Sequence, residues 1–150
     1  LTFCTILIYN KNNSKNRHSL ILNKNMKQEK TKVLIVEDEE MLVNMYISKF
    51  EKEGFEPIKA LNGREGLELA KKENPAIVLL DIIMPEMDGF MVLKELKVDP
   101  KTKNIPVIML TNLGQDEDIQ KGNKLGAKDY LVKANLTPAQ VVDKVKEILK

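Results

Sequence analysis

From residue 31 onward, short apolar runs alternate five times with longer amphipathic stretches. The runs are Lys32–Val36, Phe55–Ala60, Ala76–Leu80, Pro106–Leu110 and Ala127–Val132. AIVLL and PVIML are almost continuously apolar, the pattern of parallel strands covered by helices on both faces. The first intervening stretch puts Leu42, Met45, Tyr46 and Phe50 on one helical stripe and stops at Gly54, where a left-handed cap is expected. Further helices are predicted from near Arg64, Gly89 and Asp116. The last starts at Thr137, with Pro138 in the first helical position and Gln140 placed for a capping box, and its buried face is Val141, Val142, Val145, Ile148 and Leu149.

Strand and helix alternating through short connections predict an α/β fold with a doubly wound, five-stranded parallel sheet and helices on both faces. The fourth helix is the weakest element. Between Asp116 and Leu125 it offers only Ile119 and Leu125 as large apolar residues and contains Gly122, so it is expected to open more readily than its neighbours.

The first 25 residues break this pattern. LTFCTILIY is apolar but too short to span a bilayer as a helix, and the basic, Asn-rich run after it reverses the order of a signal peptide. Residues 1–30 are expected to be a disordered or untranslated extension with a good start at Met26, leaving 31–150 as one domain. A short membrane or partner tether is the competing reading. N-terminal sequencing of the native protein decides between them.

Charge changes the picture once the extension is set aside. Residues 1–25 hold Lys11, Lys15, Arg17 and Lys24 and no acidic residue, so the rest carries 20 basic against 22 acidic residues. A mildly acidic domain with interspersed lysines gives no electrostatic reason to expect nucleic-acid binding. The single cysteine, Cys4, excludes an internal disulfide and any Cys/His zinc cluster, which fits a reducing, cytoplasmic setting. His18, the one histidine, lies in the extension and is neither a phosphodonor nor a ligand of the site described next.

In open α/β sheets ligands bind beyond the carboxyl ends of the strands. Those ends carry Glu37 and Asp38 after the first strand, Asp81 after the third, Thr111 at the fourth and Lys133 after the fifth. Carboxylate pairs at ~4 Å repel by about 4 kcal/mol at an effective dielectric of ~20, so such a cluster calls for a cation. Oxygen ligands without Cys or His favour magnesium. Taken alone, EDEE reads equally as a solvated acidic loop capping the next helix. Thr111 and Lys133, taken singly, read as an ordinary strand-end hydroxyl and an exposed lysine. Asp81 is harder to dismiss, since a carboxylate directly after five apolar residues is costly unless paired or placed at the strand's mouth. Met84, Pro85, Met87 and Gly89 read as loop-shaping residues.

The segments VLIVEDEE, LLDIIMPEMDGF, VIMLT and KDYLVK, in that order, resemble the receiver domain of bacterial two-component response regulators over about residues 31–150. The resemblance implies a flavodoxin-like strand order 2-1-3-4-5, phosphorylation of Asp81, and magnesium bound by Asp38, Asp81 and the backbone carbonyl of Ile83, with Glu37 acting through water. It also implies that Thr111 and Lys133 hold the phosphoryl group and that Thr111 and Tyr130 form the switch. A sensor histidine kinase or phosphotransfer protein would supply the phosphoryl group. With no output segment after the fifth helix, a downstream protein would dock on the 116–150 face. No nucleic acid and no membrane are expected as partners, and the only catalysis expected is of the domain's own phosphorylation and dephosphorylation.

Three positions depart from that family. Ala134 follows Lys133 where a cis proline is common, and a cis bond before a non-proline residue costs ~3 kcal/mol, so this loop either stores strain or runs trans. Asn112 replaces a small residue and is expected to narrow access. Ile83 and Leu113 are apolar where a hydrolytic water would be positioned, so slow self-dephosphorylation is expected. Two other functions compete with this reading. A phosphohydrolase with an aspartyl-phosphate intermediate would place a second aspartate where Ile83 stands. An inert, phosphorylation-independent interaction domain has no use for a cluster of repelling carboxylates.

Overall fold

The computed structural model describes residues 29–150. The expectations for the extension, including its start at Met26, lie outside the described residues. The predicted alternation is realised as β1 (Lys32–Val36), α1 (Glu40–Lys52), β2 (Glu56–Ala60), α2 (Gly63–Glu73), β3 (Ile77–Leu80), α3 (Gly89–Val98), β4 (Val107–Thr111), α4 (Asp116–Lys124), β5 (Asp129–Val132) and α5 (Pro138–Ile148). The strands form one parallel sheet in the order β2-β1-β3-β4-β5, so the doubly wound architecture and its order are as expected.

Period-two alternation along each strand divides the core into two layers. Val33 and Ile35 of β1 face α1 and α5, packing with Val43, Tyr46, Phe50, Val141, Val142 and Val145. Leu34 and Val36 face the opposite layer, with Ala70 of α2 and Phe90, Val92, Leu93 and Leu96 of α3. Every residue of β3 and β4 is buried, which is why these strands lack polar alternation.

The helix ends follow their local chemistry. Thr137 and Gln140 form the reciprocal capping box, with Thr137 Oγ1 accepting from the Gln140 N–H and Gln140 Oε1 from the Thr137 N–H at 2.8 Å. At the end of α1, Gly54 takes φ +88°, the Phe55 N–H donates to the Phe50 carbonyl and the Gly54 N–H to the Glu51 carbonyl. That pairing is a Schellman motif, closed by Phe50 and Phe55 ring to edge at 5.5 Å. One expectation shifts: Met45 is 40% exposed, and Val43 takes its place in the buried stripe. Val43, Tyr46 and Phe50 keep three-and-four spacing, whereas Met45 lies about 100° around the helix from Tyr46.

α1 and α5 are also joined at the surface by Glu53, which accepts from Lys146 at 2.7 Å and Lys49 at 2.8 Å. These contacts, Lys146 first, lower its carboxyl from 4.5 to about 2. Because the folded state holds this proton less tightly than the unfolded state, the contribution is complete above pH ~4.5 and fades as pH falls toward 2. The melting temperature of wild type is therefore expected to exceed that of Glu53→Gln at neutral pH, with the gap closing in acid. A gap that is the same at both ends of that range contradicts this assignment.

Candidate functional site

The register of the sheet brings the polar strand ends level with one another. The Glu37 N–H donates to the Ala60 carbonyl at 3.0 Å and the Asp81 N–H to the Val36 carbonyl at 3.0 Å, so both residues extend the strands by one step. Thr111 pairs with Val132, the residue before Lys133. Between β1 and β3 the chain reverses its direction of travel across the sheet, and crevices form at such switch points.

A cleft of about 390 Å³ opens there, with Glu37, Asp38, Asp81, Ile83, Asn112 and Lys133 in its wall. Glu37 and Asp81 are 3% and 6% exposed, whereas Asp38 is exposed. One carboxylate oxygen from each of the three lies within 4.8 Å of the others, close enough for one cation to touch all three. All the donors are oxygen, with Asp38 open to solvent, so the set fits magnesium, which binds one or two carboxylates and keeps several waters.

Lys133 sits among the carboxylates. Its ammonium is paired with Glu37 Oε2 and lies 3.2 Å from Asp81 Oδ2, and its side chain is 9% exposed. Glu37 Oε1 also accepts from the Glu39 N–H at 3.2 Å. Burial raises the Glu37 carboxyl above its usual range despite the opposing pull of Lys133. Among the described residues no peptide is cis, and Lys133–Asn135 form a 3-10 turn. Of the two paths open to Ala134, the chain takes the trans one.

The loop that carries Asp81 is pinned from behind. Asp81 Oδ1 accepts from the Ile82 N–H at 2.7 Å, and the Gly89 N–H donates to the Ile82 carbonyl at 2.9 Å. A Cβ at Gly89 would stand 2.1 Å from the Asp81 carbonyl oxygen, so the start of α3 touches the strand end only because no side chain intervenes. Read from the sequence as a turn residue, Gly89 is a point of contact with the Asp81 backbone.

Thr111 and Tyr130 are adjacent to the cleft but are not in its wall. Thr111 is fully buried, and its Oγ1 accepts from the Leu113 N–H at 3.4 Å. The Tyr130 hydroxyl donates to the Leu113 carbonyl at 3.0 Å. Burial, followed by Asp118 and Asp81, pushes this phenol up to about 12. Leu113 packs against the core, so Ile83, 57% exposed, is the apolar residue of that pair facing the cleft, and Asn112 takes the place beside it. Gly122, the one buried residue of α4, also has a reason to be glycine. A Cβ there would approach the Tyr130 ring to 3.0 Å. Glu39 and Leu42 line the cleft as well. The sequence carried that information, since both lie in the first turns after β1, but neither is a residue type that draws attention to itself.

An acidic cleft at the switch point of a five-stranded doubly wound sheet, with one lysine among its carboxylates, can take a cation and an anionic group side by side. The model of the response regulator receiver domain matches residues 33–146, and the chain belongs to that family, the receiver domain of two-component systems. The transcriptional regulatory protein SrrA of Staphylococcus aureus is 41% identical over 118 residues, covering 79% of this chain and 47% of that protein. The probable transcriptional regulator ycf27 of Porphyra purpurea is 37% identical over 125 residues, covering 83% and 50%. The chain thus spans about half the length of these relatives. Among solved structures, the chemotaxis protein CheY4 of Vibrio cholerae superposes with a TM-score of 0.75 at 30% identity, covering 79% of this chain and 98% of that one. A Francisella response regulator receiver domain gives 0.73 at 31% identity, covering 79% and 96%.

Proposed function

We propose that this domain accepts a phosphoryl group on Asp81 from a sensor histidine kinase, a phosphotransfer protein or a small acyl phosphate, and thereby switches a protein-binding face. The observation that carries this reading is Asp81 itself, a buried carboxylate at the mouth of β3 that shares one cleft with Glu37, Asp38 and Lys133. An Asp81 carboxylate oxygen forms the new bond to phosphorus while the bond from phosphorus to the donor breaks. The electron pair leaves with the donor, which takes up a proton when it is an imidazole.

Asp38, Asp81 and the Ile83 carbonyl would hold magnesium, with Glu37 behind a water, and the ion would neutralise the negative charge that builds on the phosphoryl oxygens. Lys133 is already 3.2 Å from Asp81 and needs only to leave Glu37 to pair with the new charge. Thr111 donates its hydroxyl to a phosphoryl oxygen once the loop after β4 moves, and that loop is tied by Leu113 to Tyr130. Adding a charge of about −1.5 to −2 drives the rearrangement.

The 116–150 segment is the docking face for a downstream protein. Because the curated relatives named above are transcriptional regulators about twice the length of the matched region, the absence of nucleic-acid contact is proposed for residues 29–150 alone. Among the described residues no helix is long and apolar enough to cross a membrane, and we place the domain in the cytoplasm. The test is the intact mass of the full chain after incubation with an acyl phosphate and magnesium. One added phosphoryl group that requires the metal supports the reading, and no added mass under any condition refutes it.

Ile83 sets the lifetime of that state. An apolar side chain at the mouth of the cleft cannot orient a water for attack on phosphorus. Ile83→Asn is expected to speed loss of phosphate about tenfold, a gain of about 1.4 kcal/mol in the transition state. An unchanged half-life rules out Ile83 as the barrier.

A further inference from the structure

Lysines that are scattered among acidic residues along the sequence are gathered by the fold at one end. Each helix runs back against the parallel strands, so the helices end where the strands begin, on the side opposite the cleft. The last turn of every one of α1 to α5 carries one or two lysines. The first turns, at the cleft end, carry instead Glu40, Glu65, and Asp116, Glu117 and Asp118. Ion pairs knit the far end into one surface. Lys32 at the start of β1 meets Glu73 of α2 at 2.9 Å, Lys71 meets Asp99 after α3 at 2.8 Å, and Lys146 of α5 meets Glu53 after α1 at 2.7 Å.

A lysine in a last turn complements the helix dipole, and that alone accounts for one or two per helix. It does not account for Lys30, Lys101, Lys103 and Lys128, which lie outside the helices at the same end. Together with Lys52 and Lys124 these are exposed, and none of the six ammonium groups forms an ion pair with a described carboxylate. Of the acidic residues at this end, Glu53 is already shared by Lys49 and Lys146, Glu73 by Lys32 and Lys72, and Asp99 is taken by Lys71. Glu29, Glu51, Glu56 and Glu95 are the ones left to offset the six. The end is therefore positive, although the chain from residue 26 is slightly acidic as a whole.

We propose that this lysine end binds an anionic lipid surface. The extension leads into β1 from the same end, since residues 29–31 run directly into Lys32. Residues 1–9 are apolar, and residues 10–25 hold Lys11, Lys15, Arg17 and Lys24 with no acidic residue. A basic patch or a short apolar segment is a weak attachment by itself, and stable anchoring takes two signals. Here both belong to one end of the molecule. Arginine, whose planar fork grips phosphates in a fixed geometry, is missing from the patch: Arg64, the one arginine among the described residues, opens α2 at the cleft end. Exposed lysines without a groove or aromatic platform suit a plane of mobile headgroups better than a nucleic acid. A domain seated this way turns its cleft toward water, where a phosphoryl donor can reach it.

The inference does not depend on phosphorylation, and its test reads lipid binding alone. The full chain is sedimented with vesicles of phosphatidylcholine and with vesicles of equal parts phosphatidylcholine and phosphatidylglycerol, over a range of salt. Wild type should pellet with the anionic vesicles, come off as salt rises, and stay in solution with the neutral ones. A variant carrying Lys52→Gln, Lys101→Gln, Lys103→Gln, Lys124→Gln and Lys128→Gln should bind the anionic vesicles about tenfold more weakly at an unchanged melting temperature, because these ammonium groups have no ion-pair partner in the fold. Wild type that ignores anionic vesicles overturns the proposal, and so does wild type that pellets equally with neutral ones; neither result needs a folded variant. A folded variant that binds as tightly as wild type would move the attachment from the lysine end to the extension alone. A mixed-sequence DNA duplex that binds wild type more tightly than the anionic vesicles do, at the same salt, would assign the face to nucleic acid instead.

Discussion

Replacing Asp81 with Asn is expected to abolish phosphoryl labelling while leaving the fold intact. The amide retains a carbonyl oxygen in place of Oδ1, so the 2.7 Å bond from the Ile82 N–H survives, but it offers phosphorus no anionic nucleophile. The variant also relieves repulsion. One of three carboxylates with oxygens inside 4.8 Å loses its charge, and Lys133 can then serve Glu37 alone. The melting temperature should therefore equal or exceed that of wild type. Intact mass after treatment with acyl phosphate and magnesium, read beside a thermal melt, checks both halves. Labelling that persists at one phosphoryl group per chain would show that another residue is the acceptor.

Lys133→Met is expected to give the largest stability change of any single replacement at the site. The ammonium neutralises two carboxylates whose side chains alone are 4% and 8% exposed, and removing one member of a buried ionic cluster costs about 3–5 kcal/mol because charge is left without a partner. The loss should be greatest in chelator and should shrink in millimolar magnesium, since a cation bound by the same oxygens takes over the neutralisation. The labelling rate should fall about 100-fold at saturating metal, where the charge on the phosphoryl group lacks its second counter-ion. Denaturant melts with and without magnesium separate these effects. A Lys133→Met protein as stable as wild type in chelator would mean that Glu37 and Asp81 do not depend on the lysine.

What was legible in the sequence was what short-range chemistry dictates. The apolar runs marked the strands to within two residues, and Gly54, Pro138 and the Thr137–Gln140 box marked helix ends because a cap is settled within a single turn. The polar strand ends were legible because a carboxylate directly after a buried run is conspicuous. The strand order came through the family resemblance, since periodicity does not say which strand lies beside which. What stayed hidden depends on contacts between distant parts of the chain. Glu37 and Lys133 are 96 residues apart, and nothing local to either announces their pairing. Gly122 read as a flaw in a helix until the ring of Tyr130 was found against it. Leu113 and Ile83 looked equivalent in sequence, yet one turns into the core and the other faces the cleft, because the loop after β4 is tied to Tyr130.

That tie bears on how little force the domain needs to change shape. α4 buries one glycine, and its hold on its surroundings includes the ring of Tyr130 against Gly122, the ammonium of Lys121 at 4.0 Å from the centre of the Phe90 ring, and the edge of Leu125. The loop leading into it is held at Leu113 by the phenol hydrogen bond from Tyr130, a longer one to Thr111 Oγ1 at 3.4 Å and the packing of the Leu113 side chain. An exposed cation–π contact is worth about 0.5–1 kcal/mol and a hydrogen bond about 1 kcal/mol. A bias of only 1.4 kcal/mol changes a two-state ratio tenfold, and about 5.5 kcal/mol carries it from 1:99 to 99:1. The restraints on α4 fall near the low end of that scale, so the dianionic group proposed for Asp81, at the end of the neighbouring β3, would have enough leverage to repopulate the helix without disturbing a core held by the other four.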